Sequence, residues 1–365
     1  MKIFVLLFSL FLSVPAFSST VSYRATHPIA WMHGLPTGES PGWSSKRWFI
    51  TEIQEGNFWN AEMDLTDLRT GDTYTYAEDF EQILFQMEAG WEVSKKLSFS
   101  VALPVVERFG GILDQPLDDW HIFVGADRFR RNEFPKGKNH WKIQKNGEDT
   151  LATDAASGLG MAVLKWKWWF YQPHLTTPKP DFEGMALSFQ TRIPLRGARS
   201  TLSTGHVEAS ALFHAGSRVT SWFYIWATAG LTKLTPTPGL EGWPQRQWAQ
   251  VYEAWMEFPL SDHWDIVAQA RYQSPLLDKQ HLEFQYDSTE EKYQQAERAA
   301  SGWNALTAWR GNEALGFRYH FQKQNSFLFL FQEDWAIGDN DGRRNFLYVN
   351  GSPDVALVSQ LQIAF

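Results

Sequence analysis

The sequence has no cysteine, which excludes disulfide frameworks, thiolate catalysis and cysteine-ligated zinc, and lets the chain enter an oxidising compartment without mispairing. Beyond the N-terminus it lacks any run of the roughly 18 to 20 apolar residues that a spanning helix needs, and its mean hydropathy is -0.36. Helical membrane spans are excluded on that ground. Basic residues are in deficit, 33 Lys and Arg against 41 Asp and Glu, for a formal charge of -8. A nucleic-acid partner requires a basic stripe, so that class is set aside. No repeat of roughly 20 to 50 residues is visible, which argues against propellers and solenoids. The zinc-protease pattern H-E-x-x-H is absent, and neither a metal nor a cofactor is expected.

Aromatic residues, by contrast, are abundant. They make up 16% of the chain, with 19 Trp and 27 Phe, and bulky or amphipathic rings collect where protein meets lipid headgroups. Met1-Lys2, the apolar stretch Ile3 to Leu12, and Ala16-Phe17-Ser18 after Pro15 have the order of a secretory signal, so residues 1–18 are expected to be cleaved on export.

The rest of the chain repeats every two residues rather than every 3.6. In Glu81 to Val93, Ile83, Phe85, Met87, Ala89, Trp91 and Val93 share one face, and Gln82, Gln86, Glu88 and Glu92 the other. Trp264, Ile266, Ala268, Ala270 and Tyr272 likewise oppose Asp265, Val267, Gln269 and Arg271. About twelve segments show this split, an even number as single-chain barrels require: 47–62, 80–93, 96–107, 158–170, 184–195, 206–217, 220–231, 246–259, 263–274, 304–321, 326–336 and 354–365. The first is the weakest.

Connections between them alternate in length. Ser94-Lys95, Val219, Ser261-Asp262 and Gln322 to Asn325 are short, whereas 64–79, 108–157, 196–205, 232–245, 275–303 and 337–353 are long, with Tyr171 to Glu183 as an exception. Short periplasmic turns and long external loops characterise outer-membrane barrels. The final strand places Val355, Leu357, Leu361, Ile363 and the terminal Phe365 on one face, the form of a C-terminal signal read by the barrel assembly machinery.

These features predict an all-β, antiparallel up-and-down transmembrane barrel of about 12 strands over residues 47–365. Residues 19–46 then form a periplasmic segment able to serve as a plug. A soluble periplasmic β-sandwich is the alternative fold. The expected setting is the bacterial outer membrane, as a monomer surrounded by lipid and lipopolysaccharide. Arg196, Arg199, Arg343 and Arg344 are suited to the lipopolysaccharide phosphates.

Within the long segment 108–157 stand Gly110-Gly111-Ile112-Leu113-Asp114, Trp120-His121-Ile122-Phe123-Val124-Gly125, and Arg128 to Pro135. With Gly34-Leu35-Pro36, these residues resemble DUF family 3187, a set of uncharacterised outer-membrane proteins. The resemblance implies a fold and a location, and no reaction.

A loop as long as 108–157 is usually functional or folded inward. It is expected to form a constriction that uses Gly110, Gly111, Asp114, Trp120, His121, Asp127, Arg128 and Arg131, with a solvated loop as the alternative. Alternation points Glu88, Glu92, Lys165, Lys167, Arg192, Glu208, His214, Arg218, Glu253, Glu257, Asp265, Arg271, Arg318 and His320 into the lumen. They either line a narrow aqueous path or neutralise one another and fill it.

His206, Glu208, Ser210 and His214 share one strand face, but at strand rise the two histidines stand about 27 Å apart, too far for a compact triad. Ser210 with a histidine from another strand stays open. Asp339-Asn340-Asp341-Gly342 reads as a turn, since it lacks the distal Glu of a calcium loop. The leading functional expectation is a pore for a small solute. A lipid-modifying enzyme and a structural barrel without transport are the alternatives.

Overall fold

Aromatic and β-branched residues that alternate with polar ones favour a pleated surface with two unlike sides, and here that surface closes on itself. The computed structural model describes residues 28–33, 35–40, 46–67, 69–124, 136–150, 157–171, 184–195, 201–220, 222–237, 240, 243–278, 282–284, 309–322, 325–337 and 355–365. The elements in chain order are α1 (Pro28–Met32), β1 (Arg47–Asp67), β2 (Thr73–Ser94), β3 (Leu97–Phe109), α2 (Asp114–Val124), β4 (His140–Lys145), β5 (Glu148–Asp149), β6 (Ser157–Leu159), β7 (Met161–Tyr171), β8 (Gly184–Pro194), β9 (Glu208–Thr220), β10 (Phe223–Lys233), β11 (Trp248–Pro259), β12 (Trp264–Gln273), β13 (Leu282–Phe284), β14 (Trp309–Gln322), β15 (Asn325–Ile337) and β16 (Val355–Ala364).

Twelve of these strands form one closed antiparallel barrel: β1 to β3, β7 to β12 and β14 to β16. Closure is made at β1, where Trp48 pairs with Gly90 of β2 on one side and with Ala364 of β16 on the other. With β1 paired on both sides, the barrel leaves no free edge, which removes the template for edge-to-edge aggregation. The signal segment 1–18 lies outside the described residues.

Strand alternation separates the two surfaces. Met87, Trp91, Trp166, Trp168, Phe189, Phe213, Phe317 and Phe331 point outward and are exposed, while Gln86, Glu88, Lys165, Lys167, Gln190, Glu253 and Arg271 point inward and are buried. No helix among the described residues is long and apolar enough to cross a membrane, so any crossing falls to the strands. Near the short-turn end outward rings stack in groups: Trp91 on Phe99 at 4.9 Å and Phe99 on Trp166 at 4.3 Å, and separately Phe223 on Phe258 at 4.9 Å. Such groups suit the headgroup level of a bilayer.

Two expectations change. The connection expected at 64–79 is a tight turn, because β1 runs on to Asp67 and β2 starts at Thr73. The alternation Thr73-Tyr74-Thr75-Tyr76 has high strand propensity, and its tyrosines face an apolar cluster rather than water. The segment expected as the weakest strand is thus part of a long hairpin that rises beyond the neighbouring strands. Outside the barrel proper, β4 pairs with the top of β2, from Tyr74↔Lys145 to Asp79↔His140. At the hairpin tip the Lys145 ammonium, 2.8 Å away, together with Asn146 holds the Asp72 carboxyl down at about 2.

At Gly316, which pairs with Leu330, the wall leaves no room for a side chain; a Cβ there would collide with the carbonyl oxygen of Phe329. Gly316→Val should therefore destabilise the barrel by about 1–3 kcal/mol, the usual cost of overpacking. Leu315→Val, on the exposed face next to it, should change little. Urea titration of the folded, faster-migrating gel band checks both.

Candidate functional site

The interior of the barrel is occupied by residues 28–33 and 35–40. This stretch has no period of its own, and beyond the short helix α1 its residues 35–40 are irregular. Irregular backbone inside a barrel carries unpaired N–H and C=O groups, and here the wall satisfies them. Arg192 of β8 donates to the carbonyl of His33 at 3.1 Å, and Arg271 of β12 to the carbonyl of Pro36 at 3.0 Å. The N–H of Gly38 donates to Glu253 of β11 at 2.6 Å. Lys167 of β7 donates to the carbonyl of Ser40. Four wall strands, β7, β8, β11 and β12, thus hold the backbone of one inner segment.

Side chains reinforce these bonds. His33 donates from Nδ1 to Glu208 at 2.9 Å, which leaves its Nε2 to accept from the Thr237 hydroxyl at 2.7 Å in the neutral ring. Glu208 also accepts from the N–H and hydroxyl of Thr235, at 3.1 and 2.8 Å. Lower in the barrel Glu39 forms an ion pair with Lys165 and a second with Lys167 at 3.6 Å, and Glu88 stands 3.4 Å from Lys165. Space is limited as well: a Cβ on Gly38 would meet Glu253 and Thr228.

Towards the long-loop end the lining turns apolar. Ile29, Ala30, Met32 and Leu35 pack into a cluster with Phe58, Tyr74, Tyr76, Phe80, Trp141, Leu240 and Trp243. Phe58 stacks on Phe80 at 5.0 Å. The inner segment is thus anchored by charge in its lower part and by burial of apolar surface in its upper part.

Of the residues expected in the lumen, Glu88, Lys165, Lys167, Arg192, Glu208, His214, Glu253, Glu257, Asp265, Arg271, Arg318 and His320 are buried on inward positions. Glu92 and Arg218 are half-exposed near the short-turn end, where Arg218 lies 5.6 Å over Tyr224. The structure adds something alternation alone did not separate. Tyr224, Trp226, Trp255, Val267, Ala314, Leu328, Leu330 and Val358 form an apolar cluster on inward positions, with Trp226 stacked on Trp255 at 5.0 Å. The interior is therefore not wholly hydrophilic. Reading Trp226, Leu328, Leu330 and Val358 on the inward register was the signal that could have found this cluster.

Of the expected loop constriction, the described residues Gly110, Gly111 and Asp114 lie on the outer side of the wall. Asn57 and Glu81 lie on the β1–β2 face opposite Phe58 and Phe80, hence on the outer side of the wall. Glu81 accepts from the N–H groups of Ile112, at 2.9 Å, and Leu113. Asp114 accepts from Asn57 at 3.1 Å and from the Gly137 N–H at 2.9 Å. Gly111 adopts φ 86°, which permits the tight turn over Glu81. Gly110, Gly111 and Asp114 therefore clasp the outside of the hairpin, whereas residues 28–33 and 35–40 lie inside the barrel. Trp120 and His121 belong to α2, but their side chains lie outside the described residues, as do Asp127, Arg128, Arg131, Arg196, Arg199, Arg343, Arg344 and residues 339–342. Phe365 is exposed and its N–H donates to the Arg47 carbonyl at 3.0 Å, tying the chain end to β1.

Among the described residues, the catalytic arrangements are incomplete. His214 contacts Ser188 through Nε2 at 2.8 Å, yet its Nδ1 meets the Thr228 hydroxyl at 2.8 Å, where a nucleophile–base pair would have a carboxylate. Ser210 is hydrogen-bonded to Thr232 at 2.8 Å. Gly38-Glu39-Ser40-Pro41-Gly42 spells G-x-S-x-G. It lacks the strand that must precede such an elbow. Glu257, Asp265 and His320 bring ligand atoms within 4.8 Å of one another, a donor set that suits a divalent cation. Arg318, 2.8 Å from Glu257, and the His320–Asp265 pair account for the same carboxylates without one.

A sequence-family model described as a protein of unknown function, DUF3187, matches residues 25–293. No curated protein matches the sequence. Among solved structures the COG4313 outer membrane channel from Pseudomonas putida F1 overlaps with a TM-score of 0.51 at 7% identity, over 91% of this chain and 100% of that one. A Pseudomonas aeruginosa FadL homologue gives 0.38 at 9% identity, over 88% and 90%. The P. putida toluene transporter TodX gives 0.37 at 10% identity, over 97% and 99%. The first of these shows a shared barrel architecture.

Glu253 links the Arg271 guanidinium to the Gly38 backbone, and both charges are buried. Glu253→Ala should cost about 3–5 kcal/mol by leaving Arg271 without its carboxylate. Adding Arg271→Leu should restore much of the loss. A double-mutant cycle in denaturant measures the difference.

Proposed function

The chain belongs to the DUF3187 family, and we propose that this member works as an outer-membrane channel held shut by its own residues 28–40. One observation carries the reading: the inner segment is bonded to the lumen wall through side chains, without joining the sheet. Hydrogen bonds and ion pairs of this kind exchange with water at a small net cost each. A segment held so can leave while the barrel remains intact. A strand added to the wall could not.

The exposed apolar exterior and its aromatic groups support a lipid setting, and the relative with the shared architecture is named as an outer membrane channel. In this reading the exposed Phe365 is what the assembly machinery engages, and lipopolysaccharide contacts the long-loop end. A filled lumen is also what a structural barrel without transport has. Conductance separates the two.

Deleting residues 28–40 should convert a nearly silent protein into one that gives steady steps in planar bilayers, with current several-fold above the intact chain. If both forms are folded by gel mobility and both stay silent, the channel reading is wrong.

A further inference from the structure

Glu39 is the acidic side chain of the described inner segment, and it sits between two ammonium groups presented at alternate inward positions of one strand, Lys165 and Lys167 of β7. Both lysines are nearly inaccessible, and the wall carboxylate beside them is Glu88, 3.4 Å from Lys165. When the inner segment leaves, Glu39 goes with it, and the two ammonium groups it paired lose that carboxylate and face the opened lumen. Water reaches them there, but two neighbouring cations on a low-dielectric wall still concentrate anions. The open barrel therefore presents an anion-binding position at this level.

We propose that the Lys165–Lys167 pair is the binding site for a small organic carboxylate, and that Glu39 is the intramolecular stand-in for it. The inference rests on the channel reading above and names its substrate class. A carboxylate fits because that is the group the site holds in the closed form, presented beside the neighbouring carbonyl of Ser40. The indole of Trp169 lies 5.4 Å from the Lys167 ammonium and offers an apolar surface for a carbon skeleton that a bare inorganic anion does not use. Since ligand and Glu39 compete for the same two ammonium groups, binding of one and release of the other are linked. The solute that passes also favours the open state.

The test uses the full mature chain in planar bilayers, with Glu39→Gln, Glu39→Gln/Lys165→Gln/Lys167→Gln, and the 28–40 deletion, each checked for folding by gel mobility. Glu39→Gln keeps the size of the side chain and removes its charge, so open probability should rise by roughly tenfold or more. In that variant added succinate should reduce chloride current saturably, and removing both lysines should abolish the block while current persists. Block by inorganic phosphate with none by succinate would overturn the carboxylate assignment. Equal block with and without the lysines would overturn the site. In either case the channel reading survives, whereas silence of the deletion and of Glu39→Gln together removes that reading and this inference with it.

Discussion

Charge placed inside a closed barrel must find a partner there, and the arrangement of this molecule follows from that constraint. The wall turns Lys165, Lys167, Arg192, Glu208, Glu253 and Arg271 inward, where each is buried. Several of them spend a hydrogen-bonding group on the inner segment, and that segment, irregular between Leu35 and Ser40, has its own backbone groups to satisfy. Wall and segment complete one another. Neither set is fully bonded without the other or without solvent in its place.

The two halves of the inner segment are held by different physics. Ile29, Met32 and Leu35 are retained by removal of apolar surface from water, at roughly 25 cal/mol per Å², in a cluster with Phe58, Phe80 and Trp243. Glu39 and His33 are retained by directional, charge-assisted bonds to lysine and glutamate. The first kind of attachment is indifferent to ions. The second is open to competition from ions.

The barrel was legible because lipid imposes a strict period on strands such as Glu81 to Val93, where a shift of one residue would turn every side chain to the wrong surface. The inward positions of Lys165, Glu253 and Arg271 came from the same rule. What the period could not report was the contact between Glu39 and the β7 lysines, far apart in the chain and on a segment with no pattern. Residues 64–79 read as a loop because Glu78 and Asp79 interrupt the apolar sequence, and nothing in the period showed that Glu81, at the start of the next expected strand, docks the turn by accepting from Ile112 and Leu113. The Gly-Gly-Ile-Leu-Asp stretch that carried the resemblance sits on the outer face of the wall. The inward aromatics Trp226 and Trp255 were hidden by the opposite prejudice, that a lumen is wet.

The central claim is that residues 28–40 occupy the lumen. The absence of native cysteine allows a direct measurement, the rate at which single cysteines at Leu35 and at the exposed turn residue Gly71 react with a membrane-impermeant thiol reagent in the intact barrel. Strong protection at position 35 with rapid labelling at position 71 is the result this account requires. Equal rates at the two positions would show that the segment lies in solvent and that the lumen is filled by something else.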